Sequence, residues 1–135
     1  MDFLVALLVL SLLLLVVRAP QVLFFPDNQP QLINVFIEFP IGTDIEATNE
    51  FVDGMEDELM VALEDYTSVL ESVISLVGEG TGGPMEGPSN QPTPHKAKIT
   101  IGFVDYIDRQ GINTNGAMEQ IRELATKYPG VLVTV

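Results

Sequence analysis

The chain has 135 residues, the size of a single domain, and sets 6 Lys plus Arg against 19 Asp plus Glu, for a net charge of −13. That balance excludes nucleic acid as a direct partner, because phosphate binding needs a basic surface. With no cysteine and a single histidine, His95, disulfides, thiolate or multi-histidine metal sites and Fe–S clusters are excluded, and a Ser-His-Asp triad is argued against.

Hydrophobicity is concentrated at the start. Phe3 to Val17 is an apolar run broken only by Ser11. A complete span needs about 20 apolar residues, so this run is marginal alone. Three readings fit it: the C-terminal part of a longer membrane helix, a short anchor, or a signal peptide. The last lacks a basic start, since the chain opens Met1-Asp2. We take residues 1–18 as a transmembrane helix segment, the end of a longer one. Residues 19–31 form a linker punctuated by Pro20, Pro26 and Pro30, and residues 32–135 form the folded domain.

Leu32 to Phe39 alternates as a strand, with Ile33, Val35, Ile37 and Phe39 on one face and Asn34, Phe36 and Glu38 on the other. Pro40-Ile41-Gly42 ends it. Thr43 to Glu46 has the spacing of a capping box, and Ile45, Val52, Met55, Leu59, Leu63 and Tyr66 recur at helical spacing to about Asp65. Val69 to Val77 reads as a second strand. Gly78 to His95 is a loop of eighteen residues with five Gly and four Pro, a length that usually marks function or disorder. Ala97 to Asp105 is a third strand, with Ile99, Ile101 and Phe103 on one face. A turn at Asp108 to Gly111 leads into a helix from about Thr114 to Lys127, with Met118, Ile121, Leu124 and Ala125 inward. Tyr128-Pro129-Gly130 stops that helix, and Val131 to Val135 is a fourth strand.

The order β-α-β-β-α-β is that of a ferredoxin-like α+β domain. Both helices then cover one sheet face. The other face carries Phe36, Thr100, Val104 and Leu132 among Asn34, Glu38 and Lys98, which makes it either a tolerated exposed surface or a docking or cleft surface. Other features read blandly. The glycines lack a phosphate-loop pattern and basic neighbours. The acidic helix residues Glu46, Glu50, Asp53, Glu56, Asp57 and Glu58 lack calcium-loop spacing and form a solvated face. Asp105, Asp108 and Arg109 make a turn-stabilising ion pair, and His95 is a solvated loop residue. No catalytic residue, cofactor site or metal site is expected. The acylphosphatase reading of this fold fails because Pro40 to Thr43 holds no basic residue.

One succession of signals is more specific. An apolar run leads to Phe24-Phe25-Pro26-Asp27; a strand ends Phe39-Pro40-Ile41-Gly42-Thr43 before a helix with Thr48; Val77-Gly78 opens a glycine-rich loop; then come Phe103-Val104-Asp105, Arg109 and Pro129-Gly130-Val131. This order resembles the resistance–nodulation–division (RND) efflux transporters, the AcrB-like inner-membrane pumps. It resembles the end of a membrane helix and the first periplasmic porter subdomain of their second half. The resemblance implies a fragment of a proton-driven, trimeric exporter of small amphiphilic compounds, not an enzyme and not transport-competent alone. It also implies a periplasmic adaptor and an outer-membrane channel as partners, and a place in the bacterial inner membrane with the soluble part in the periplasm. It places Phe36 at a cargo cleft, and Gly78, Gly80, Gly82 and Gly83 in a switch loop near the entrance. This loop lacks the family's usual aromatics and is lengthened by Pro84 to Pro94. A Phe suits apolar cargo better than soft metal ions. The alternative is a stand-alone, membrane-anchored, periplasmic binding or accessory module of the same fold.

Overall fold

A computed structural model describes residues 5–11, 29–83, 85 and 91–134 of the chain. The domain is α+β, in the order β1 (Leu32–Glu38), α1 (Ile45–Ala62), β2 (Leu70–Gly78), β3 (Thr93–Phe103), α2 (Asn115–Thr126) and β4 (Val131–Thr134). The four strands form one antiparallel sheet in the spatial order β2-β3-β1-β4, which is the ferredoxin-like arrangement.

Alternation along β1 decides which face becomes the core. Ile33, Val35 and Ile37 are buried, and across the ladder they meet Ile101, Ile99 and Ala97 of β3. Both helices close over this face with Val52, Met55 and Leu59 from α1 and Ala117, Ile121 and Leu124 from α2. An aromatic series fastens one end. Phe39, Phe51 and Tyr128 stack edge to face at 5.1 and 5.3 Å between centroids, joining β1, α1 and the residues after α2. Gly130 then lets the chain turn back along β1. Its φ is +89°, and a Cβ there would lie 2.6 Å from the Glu38 carbonyl oxygen, so only glycine fits.

Several local expectations are corrected. The Thr43 capping box does not form. The N-cap is Asp44, without a side-chain cap, and the Thr43 hydroxyl instead donates to the Pro40 carbonyl at 2.8 Å, closing the turn before the helix. Ile45 lies in the first turn and is 43% exposed, while Thr48 takes the inward position. Its hydroxyl is satisfied by the carbonyls of Asp44 (3.1 Å) and Pro94 (2.7 Å). The first helix ends at Ala62, and a 3-10 turn at Glu64–Tyr66 follows. β3 begins at Thr93, so His95 belongs to a strand, and its carbonyl accepts the Phe39 N–H at 2.8 Å. Val104 lies past the end of β3 and packs against the core rather than on the open face.

Arg109 is the largest correction. It is 2% exposed, and no salt bridge joins it to Asp105 or Asp108 among the described residues. Its Nε donates to the Val104 carbonyl (2.8 Å) and its Nη1 to Thr114 Oγ1 (3.0 Å), and the Thr114 hydroxyl donates to the Pro30 carbonyl (2.9 Å). The guanidinium therefore locks the end of β3, the start of α2 and the entry to β1 together. Asp105 accepts instead from Gln31 Nε2 at 2.6 Å.

Residues 5–11 are helical, with Val5, Leu7, Leu8, Val9 and Leu10 all exposed. No helix among the described residues is long and apolar enough to cross a membrane. The rest of the expected membrane segment, most of the 19–31 linker and much of the stretch from Pro84 to Asn90 lie outside the described residues.

Candidate functional site

The sheet face away from the helices is built by cross-strand rows. One row reads Leu132 (β4), Phe36 (β1), Lys98 (β3), Leu76 (β2), and the next reads Thr134, Asn34, Thr100, Ile74. Directly opposed residues on one face touch, so these rows are continuous strips of side chain. Asn34 Oδ1 accepts the Thr100 hydroxyl at 2.9 Å. Around this polar pair lie exposed apolar groups: Leu32, Ile74, Leu76 and Leu132, with Phe36 half-buried among them.

The glycine-rich loop after β2 folds back toward Phe36. Gly78 turns the chain at φ +79° against Ile45, and a side chain at Gly80 would come within 3.6 Å of Leu76. Thr81 is then buried, its hydroxyl 2.8 Å from that of Thr93, which also donates to the Gly78 carbonyl at 3.2 Å. Thus pinned, the loop overhangs one end of the open face. Between it and the sheet is a cavity of about 320 Å³, a size within the range of small-molecule sites. Its floor is Phe36 and Leu132, its overhang is Thr81, Gly83 and Met85, and Glu38 and Lys96 stand at one side. These two charges pair at 3.5 Å.

Of the residues that the sequence singles out, the structure brings Phe36 and Gly83 together in this cavity. Gly78 and Gly80 shape the loop without lining it, and Gly82 is half-buried beside Gly83. Thr81 was missed as an anchor. Its only sequence signal is a hydroxyl residue within a glycine run, and its partner Thr93 lies twelve residues on. Lys96 was missed because it reads as a loop residue until β3 is extended back to Thr93.

Two other grooves lie on the helical side. One of about 550 Å³ runs between the helices past Asp57, Glu58, Val61, Gln120, Glu123 and Lys127. Another of about 420 Å³ is rimmed by Glu46, Asn49, Glu50 and Asp53. Both are open; the first mixes three carboxylates with Val61, Ala62, Leu124 and Lys127, and the second sets three carboxylates beside Ile45 and Val77. Among the described residues no three His, Cys, Asp or Glu side chains converge as a metal site. At the aromatic end, Tyr128 donates to Glu58 Oε1 at 2.6 Å. That hydrogen bond to a carboxylate, with smaller contributions from desolvation and charge, raises the Tyr128 hydroxyl above its ordinary pKa.

No protein-family model matches the sequence, and no curated protein sequence matches it. Two crystal forms of a heavy metal efflux pump are similar to the chain in structure, at 20% identity and TM-scores of 0.48 and 0.49. The alignments cover 78% and 82% of this chain but 10% and 11% of those chains, so the chain spans about a tenth of their length.

Proposed function

We propose that this chain is a porter-type module of an RND efflux transporter, an AcrB-like inner-membrane pump driven by protons, and that it exports small amphiphilic compounds from the periplasm or the inner membrane. The observation that carries the reading is the cavity between the pinned glycine-rich loop and Phe36. The order of motifs in the sequence implies a cargo cleft at Phe36 and a glycine-rich loop near the entrance, and the fold supports the reading by bringing that loop beside that residue. A second support is the helical stretch at residues 5–11. Four consecutive residues, Leu7 to Leu10, turn through most of the helix circumference, and all are exposed, so the domain covers none of those faces. A lipid surface would cover them.

A single ferredoxin-like module does not alternate access alone. The module therefore works with the remaining parts of a transporter, in a trimer, alongside a periplasmic adaptor and an outer-membrane channel. Two experiments test this. The DNA on both sides of the coding region is expected to encode further apolar membrane runs; flanks without any overturn the reading. In cells carrying that whole locus, Phe36→Asp is expected to lower efflux of an amphiphilic dye severalfold with the amount of membrane-inserted protein unchanged. Unaltered efflux of several such dyes removes Phe36 from the cargo path.

A further inference from the structure

We propose that the cleft under the glycine-rich loop prefers amphiphilic anions, compounds with an apolar ring body and one negative group; this rests on the cleft reading above. The inference comes from where the few cations lie. Only six Lys and Arg residues occur in a chain of net charge −13, and two of them, Lys96 and Lys98, are on the open face beside Phe36. Lys98 is the direct cross-strand neighbour of Phe36 and separates it from Leu76. In the rows holding Phe36 and its flanking residues the charged groups are Lys98, Lys96 and Glu38, and Glu38 pairs with Lys96. Lys98 forms no salt bridge among the described residues. Many of the carboxylates line the helical side, from Glu46 to Glu58 and at Glu119 and Glu123, while Glu71 in β2 and Glu79 in the glycine-rich loop are exposed away from it.

An apolar floor formed by Phe36 and Leu132 therefore has an ammonium group at its edge, that of Lys98, next to Phe36 in the sheet but outside the residues that line the cavity. A ring placed on Phe36 brings its charged substituent within reach of Lys98, because opposed side chains on one sheet face lie about 5 Å apart. A cation in the same pose meets Lys98 as a like charge. An exposed pair of this kind contributes up to about 1 kcal/mol, or about fivefold in affinity.

The test uses the full chain in nanodiscs of zwitterionic lipid and a matched pair of probes, 2-naphthalenesulfonate and 2-naphthylmethylammonium. Binding is read from amide chemical shifts. Shifts at Phe36, Lys98 and Gly83, with the sulfonate bound about fivefold more tightly than the ammonium, are the expected result. Lys98→Gln should abolish the preference and Lys98→Glu reverse it, while Lys127→Gln on the helical side should leave it intact. If both probes bind equally and Phe36→Ala weakens both, the anion preference is overturned and the cleft survives. Tighter binding of the ammonium has the same consequence. If neither probe moves these amides, the cleft reading fails along with the preference.

Discussion

Adjacent residues of β1 should respond in opposite ways to the same substitution. Ile37 is 2% exposed on the helix-covered face, whereas Phe36 is half-buried on the open one. Ile37→Asp removes about 2 kcal/mol of apolar burial and puts a carboxylate into the core, which adds several kcal/mol more. That sum rivals the whole stability of a domain this size, about 5–15 kcal/mol, so the variant should not fold. Phe36→Asp forfeits only part of a phenylalanine's burial, about 1 kcal/mol, and suffers from the poor strand propensity of Asp, at most about 1 kcal/mol. Its cross-strand neighbour Lys98 returns a few tenths. The net loss is about 1–2 kcal/mol, a shift of roughly 1 M in the urea midpoint at an ordinary m-value. The chain has no Trp, so tyrosine fluorescence of the full chain in nanodiscs reports the transition, through the half-buried Tyr66 and Tyr128. A Phe36→Asp variant that unfolds beside a tolerant Ile37→Asp would show that the two faces are assigned the wrong way round.

Three further outcomes are expected. Arg109→Leu strips the Val104 carbonyl and Thr114 of a donor and should lower stability by about 2–4 kcal/mol; Asp105→Asn and Asp108→Asn, which break no ion pair to it, should each change stability far less, and equal losses in all three would restore the ion-pair reading. Gly130→Ala forces a Cβ toward the Glu38 carbonyl at positive φ and should cost about 2 kcal/mol or more in denaturant unfolding; a neutral result would mean the turn from α2 into β4 is built differently. Tyr128 should ionise above the usual tyrosine pH of about 10, because the Glu58 carboxylate holds its proton. The folded-state value is the raised one, so the stabilisation is whole below the unfolded pKa and is lost as pH climbs through the folded one. Absorbance titration of tyrosinate should show the Tyr128 transition move to lower pH in Glu58→Gln.

The strands on the core side were legible because burial on one sheet face imposes a period of two. Ile33, Val35 and Ile37, and likewise Ile99, Ile101 and Phe103, show it without help from distant residues. The second helix was legible for a similar reason, with Ile121, Leu124 and Ala125 at helical spacing. Thr48 was not, since a hydroxyl belongs in a core only when something accepts its proton, and the acceptor is a carbonyl 46 residues away at Pro94. The start of β3 was hidden for a related reason. Pro94 has no N–H and reads as a breaker, yet here its carbonyl serves Thr48 and the His95 carbonyl serves Phe39.

Local order in the chain, then, determined the α+β class, the β-α-β-β-α-β succession, the core face of β1 and of β3 and the acidity of the first helix, because each follows from spacing or composition within a few residues. Tertiary structure decided that Arg109 is a buried lock: its acceptors, the Val104 carbonyl and the Thr114 hydroxyl, are each five residues away, but the Thr114 hydroxyl is committed to the Pro30 carbonyl 84 residues off. It alone decided the cleft as well. Phe36 and Gly83 are 47 positions apart and become neighbours only when Thr81 and Thr93 pin the loop across the sheet, and no local pattern encodes which way a glycine-rich loop will fold.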